Sequence, residues 1–116
     1  MSKRRSAKLY VDDIWDSIGK IEKYSKGYKF EDFTKDTKTV DAIIRNFTIL
    51  GESIKNLPKE IKQKYPDIPW REIMGMRNKI VHEYFAVDEE ILWKSVTEDL
   101  PPFKKQIRKL KKDLNI

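Results

Sequence analysis

The sequence predicts an all-α protein: an antiparallel up-and-down bundle of four to five helices, built as one domain over residues 1–116. Three observations carry that expectation. Apolar residues recur at steps of three and four in four separate segments, the spacing of one helix face. No stretch shows the alternation of a half-buried strand, and no internal repeat is visible. Prolines and glycines mostly punctuate the apolar stripes, and the connections between them are short enough to make successive helices antiparallel neighbours.

The first stripe is Val11, Ile14, Ile18 and Ile21, and its helix should close near Gly27, a residue free to adopt the left-handed backbone. Phe30 to Lys35 reads as a short amphipathic connection. The second stripe is Val40, Ile43, Phe47, Leu50 and Ile54, with Asp36 or Thr37 suited to cap its start and Pro58 to stop it after Asn56. Lys59 to Tyr65 should form one or two helical turns. Pro66-Asp67-Ile68-Pro69-Trp70 reads as a rigid turn, since each proline pushes its predecessor out of helical geometry.

A third main helix is expected from Pro69 or Trp70 to about Glu83. The last helix should begin at Asp88, with Glu89 and Glu90 favourable in its first turn. Its stripe is Leu92, Val96, Leu100, Phe103, Ile107, Leu110 and Leu114. Pro101-Pro102 lie inside that stripe, which predicts a kink near Leu100.

The balance of residues narrows the function. Hydrophobic residues at 39% are too many, and too regularly placed, for a disordered chain. A formal charge of +6 favours a polyanionic partner such as RNA, DNA or an acidic protein surface, and describes a merely well-solvated bundle equally well. The chain has no cysteine and therefore neither disulfides nor thiolate chemistry. Lys3, Arg4, Arg5 and Lys8 are not followed by an apolar run, so the start does not read as a secretory signal. No run approaches the roughly 18 apolar residues of a membrane span, and the expectation is a soluble cytoplasmic protein without membrane contact.

Most catalytic signatures are missing. The four glycines are scattered, so there is no phosphate-cradling loop, and one histidine without cysteine makes no metal-ligand cluster. Neither a cofactor nor a metal is expected. The remaining candidate is Gly75-Met76-Arg77-Asn78-Lys79-Ile80-Val81-His82-Glu83-Tyr84. His82 is the sole histidine, the one side-chain type that titrates near neutrality unperturbed. Cleavage of RNA through its 2′-hydroxyl needs proton transfer, which imidazole performs, and positive charge on the phosphorane, which a guanidinium supplies. Arg77 and His82 are thus the candidate pair. On one continuous helix, residues five apart differ by roughly 140° around the axis, whereas Asn78 and His82 share a face. Arg77 would then have to reach around the helix, or its partner would come from a second copy across a two-fold axis.

The wording of this segment resembles the Arg-x-x-x-x-His signature of HEPN ribonucleases, in the longer form with Tyr two residues after His that marks HepT-type toxins. Thr39 to Phe47, Leu50-Gly51-Glu52-Ser53, Ile68 to Met76 and Asp99-Leu100-Pro101 are similar to other parts of that family, so the likeness covers nearly the whole chain. The resemblance implies a HEPN-like bundle that dimerises with its motif helices facing each other. It implies Arg77 and His82 as the catalytic pair, Asn78 as a supporting polar residue, and Tyr84 as the acceptor of AMP. The modifying partner would be a cognate MNT-type nucleotidyltransferase antitoxin, in a type VII toxin–antitoxin system whose toxin is a metal-independent RNA endonuclease. The second reading is a non-catalytic helical binding partner of such a nucleotidyltransferase. A third, an architectural nucleic-acid binder, rests on charge alone.

Two further features admit two readings each. Lys104, Lys105, Arg108, Lys109, Lys111 and Lys112 could track RNA phosphates, or form the solvated face of the last helix, which is the commoner use of such a run. Trp15, Trp70 and Trp93 could stack bases, but Trp70 and Trp93 sit beside apolar stripes and suit the core better.

Overall fold

The computed structural model describes residues 3–82 and 86–116, with side chains for residues 7–81 and 86–116. Helix α1 (Lys3–Ser25) packs along α3 (Thr37–Asn56) and against α8 (Leu100–Asp113). Shorter helices join them: α2 (Phe30–Lys35), α4 (Lys59–Lys64), α5 (Trp70–Met74), α6 (Met76–Ile80) and α7 (Glu89–Lys94). The all-α expectation holds. Among the described residues no helix is long and apolar enough to cross a membrane.

The apolar stripes became the core. Val11, Ile14, Ile18 and Ile21 of α1 are buried, as are Val40, Ile43, Phe47, Leu50 and Ile54 of α3. Leu100, Phe103, Ile107 and Leu110 of α8 face them, each buried side chain contributing roughly 1.5–3 kcal/mol by leaving water. Trp70 and Trp93 are core packers, as their places in the sequence suggested. The Trp70 ring meets Phe103 edge-on at 6.2 Å while its indole N–H donates to the Tyr65 carbonyl. Trp93 lies 5.0 Å from Phe33.

The expected helix ends are largely in place. Gly27 has φ of 82° just after α1. Asp36 caps α3 by accepting from the Thr39 N–H at 3.1 Å, and Asp88 caps α7 by accepting from the Ile91 N–H at 3.0 Å. Asp36 also accepts from the Tyr28 hydroxyl. With Tyr28 as the largest cause, followed by the Thr39 hydroxyl and N–H, its carboxyl is held below its ordinary value.

Three expectations need correction. Phe30–Lys35 is a helix rather than a connection, because burial of Phe33 against Trp93 and Tyr28 stabilises six residues that would not form a helix alone. The third main helix does not run unbroken toward Glu83. It divides at Gly75, whose ψ is near 0°, and α6 ends at Ile80. A strand also exists where none was expected: β1 (Val81–His82) pairs antiparallel with β2 (Ala86–Val87), Val81 opposite Val87 and His82 opposite Ala86. Two-residue strands are too short to show alternation in a sequence.

The kink before Pro101-Pro102 takes the form of a π-helical segment, Ser95–Asp99, between α7 and α8. Prolines at 101 and 102 cannot donate to the carbonyls of Thr97 and Glu98, so the regular ladder fails there. The Leu100 N–H reaches back five residues to the Ser95 carbonyl instead.

Candidate active site

Gly75 lowers helix propensity by about 1 kcal/mol relative to Ala, and the chain uses that weakness to turn between α5 and α6. Within α6, Met76 and Ile80, four apart, point into the core, and Ser95 donates from its hydroxyl to the Met76 sulfur at 3.0 Å. The residues between them are left on the outer side: Arg77 is half-buried, and Asn78 and Lys79 are exposed. Arg77 Nη1 donates to Asn78 Oδ1 in a long bond of 3.4 Å.

Arg77 and Asn78 line one wall of a groove of about 420 Å³. The opposite wall is α3, which presents Thr48, Glu52 and Lys55. The walls can approach because Gly51 lies against the Met74 carbonyl, only 2.9 Å from where a Cβ would stand. Lys55 adds a second cation to the lining, so the groove carries donors suited to a phosphate, with Glu52 the one carboxylate among the described lining residues. Sequence reasoning assigned no role to Thr48, Glu52 or Lys55. Their spacing of four and three on the solvated side of the α3 stripe was the available signal.

His82 does not share a helix with Arg77. Its backbone is extended in β1, two residues past the end of α6. A continued helix would give the Ile80 carbonyl to the N–H of residue 84, but here that carbonyl accepts from the Asp88 N–H at 2.7 Å. The 140° offset expected from a regular helix therefore does not apply. The His82 side chain and the whole of Tyr84 lie outside the described residues.

A family model, described as ribonuclease HepT-like, matches residues 14–110. The chain belongs to the ribonuclease HepT-like family. Membership carries an activity class, that of a ribonuclease, in agreement with the expectation from the sequence. A relative from Thermococcus cleftensis, named "Probable ribonuclease HepT", is 47% identical over 94% of this chain and 99% of its own length. A protein of Caldanaerobacter subterraneus subsp. tengcongensis that carries an RNase name is 38% identical over 91% of this chain and 95% of its own. No solved structure matches the chain. The HepT-like match takes in α6, β1 and the groove wall of α3 in one span.

Proposed function

We propose that this HepT-like chain is a metal-independent RNA endonuclease, the toxin of a type VII toxin–antitoxin pair, with Arg77 and His82 as catalytic residues. The single observation that supports it best is the groove itself: Arg77, in contact with Asn78, faces α3 across a cleft whose second cation is Lys55. A phosphodiester seated there receives its charge compensation before reaction begins, the condition under which such contacts lower a barrier most. The ribose 2′-oxygen then attacks phosphorus, the bond to the 5′-oxygen breaks, and a 2′,3′-cyclic phosphate remains. His82 takes the proton from the 2′-hydroxyl or returns one to the departing 5′-oxygen, and Arg77 holds the phosphorane charge.

The active unit in this proposal is a homodimer with the two motif segments facing each other. Arg77, Asn78 and Lys79 lie on the outer side of α6, and Met74, a large apolar side chain left exposed, stands at the rim of the same groove. Control comes from a cognate nucleotidyltransferase that places AMP on Tyr84. The negative phosphate so added can pair with Arg77 and occupy the substrate's place.

The test is cleavage of RNA by purified His82→Ala and Arg77→Ala, with helical content and oligomeric state measured alongside. General acid–base catalysis is typically worth about 10²–10⁴-fold, and each variant should lose cleavage on that scale. Parent cleavage should persist in excess chelator and yield cyclic phosphate ends. A folded variant that cuts RNA at the parent rate refutes the assignment.

A further inference from the structure

Away from the groove, α1 and α8 build a second cationic feature. The Trp15 ring is half-buried on α1, and three cations of α8 lie over it: Lys111 Nζ at 4.8 Å from the ring centre, Lys104 Nζ at 5.7 Å and the Arg108 guanidinium at 5.7 Å. Each cation gains from the ring quadrupole, but their convergence on one ring brings three like charges into close range. Among the described residues one carboxylate pairs with them, Glu22, which holds Lys104 at 2.7 Å. Two acids of α1 pair within their own helix: Asp12 with Lys8 at 2.7 Å and Asp16 with Lys20 at 3.1 Å. Further along the outer side of α8, Lys105, Lys109 and Lys112 are exposed.

A merely solvated basic face spreads its lysines into water. Here three cationic groups lie 4.8–5.7 Å from the centre of one indole ring, which draws them together before any partner arrives and reduces the entropy lost on binding. In this arrangement the Trp15 ring gathers cations. We propose that Lys104, Arg108 and Lys111 over Trp15 form a sequence-independent binding surface for the phosphate backbone of RNA, separate from the groove that holds Arg77. It rests on the proposed RNA substrate and adds to it an anchor that holds the strand outside the reacting bond. Two successive phosphates would neutralise the excess of three cations over one carboxylate.

The probe is a fluorescein-labelled 2′-O-methyl oligouridylate of twenty nucleotides, which binds as RNA does but cannot be cut through its 2′-oxygen. Binding is followed by anisotropy across a salt series. Arg108→Gln/Lys111→Gln should weaken binding about tenfold at low salt and flatten the salt slope by about 1.4, the value for two single-strand phosphate contacts. Lys26→Gln/Lys29→Gln removes the same charge from two exposed positions elsewhere and should change binding less than twofold. Trp15→Leu should weaken binding by an intermediate factor, because the cations remain but lose their platform. Equal loss in the two double variants overturns the proposal and reduces the effect to net charge. Unchanged binding in Arg108→Gln/Lys111→Gln overturns it outright. Cleavage of an unmodified dinucleotide, whose single phosphodiester can occupy one place at a time, keeps the two readings apart. If the parent binds the oligomer through this surface yet cuts no RNA, the nuclease assignment falls and the surface stands. If it cuts normally and the variants bind normally, the surface falls alone.

Discussion

Two glycines in long helices should respond to the same substitution with opposite signs. Gly19 lies in α1, exposed, with nothing within 4 Å of an added Cβ. Gly19→Ala should therefore express only the intrinsic preference, a gain of roughly 0.5–1 kcal/mol. Gly51 lies in α3, buried, where a Cβ would stand 2.9 Å from the Met74 carbonyl oxygen and 3.7 Å from its carbon. Those neighbours are backbone, so no side-chain rotation can make room, and α3 must move away from α5 by several tenths of an ångström. Overpacking of that kind costs about 1–3 kcal/mol, set against the same helix gain. Gly51→Ala should be neutral to about 2 kcal/mol destabilising, and the two variants should differ by about 1–3 kcal/mol. With an unfolding entropy near 2.1 cal/mol/K per residue, 116 residues give about 4 °C of Tm per kcal/mol, a gap of roughly 4–12 °C. Differential scanning calorimetry measures it directly. Because Met74 and Arg77 line the same groove, Gly51→Ala should also reduce cleavage more than its stability loss explains. A Gly51→Ala protein that melts above the parent, as Gly19→Ala should, would show that the contact with Met74 does not constrain the groove.

Other expectations follow from the caps, the assembly and the tyrosine. Hydrogen bonds from Tyr28 and Thr39 lower the folded pKa of Asp36, so its contribution is present above its ordinary value of 3.8 and is lost as pH falls through the folded value. The Tm gap between the parent and Asp36→Asn should be largest near neutrality and shrink in acid; a gap independent of pH refutes that origin. Light scattering at micromolar concentration should give about twice the chain mass of 13.9 kDa, and a stable monomer would count against the facing-motif dimer. Incubation with ATP, magnesium and the cognate nucleotidyltransferase should add AMP to the parent but not to Tyr84→Phe, with cleavage lost in step. AMP mapped by mass spectrometry to Tyr65 instead would overturn the choice of Tyr84 and leave the nuclease assignment intact.

What the sequence made legible is what local physics decides. The stripes of α1, α3 and α8 were readable because a helix buries one face, and periodicity records that face. Asp36, Asp88 and Gly27 were readable because caps and left-handed turns have strong residue preferences. What escaped notice depends on contacts far apart in the chain. Phe30–Lys35 is helical through Phe33 packing on Trp93, sixty residues away in sequence. The end of α6 depends on Asp88 supplying the N–H that takes the Ile80 carbonyl, which no local propensity announces. In the site, Arg77 and Asn78 could be named from the motif, but the α3 wall with Glu52 and Lys55 required the approach that Gly51 permits.

The end of α6 also changes the meaning of the five-residue spacing between Arg77 and His82. On a regular helix that number fixes an angle, and the angle is unhelpful. Here the chain leaves the helix at Ile80 and proceeds in extended steps of about 3.3 Å, so the spacing measures a path from one support to another. Arg77 is positioned by a helix seated on α3 and α5. The backbone of His82 is positioned by its pairing with Ala86, and the end of α6, from which the strand leaves, is held by Asp88, whose N–H donates to the Ile80 carbonyl and whose carboxylate accepts from the Ile91 N–H. On the proposed assignment of phosphate charge to Arg77 and proton transfer to His82, the two roles fall on a helix and on the extended strand that leaves it, joined at the Ile80 carbonyl that Asp88 holds.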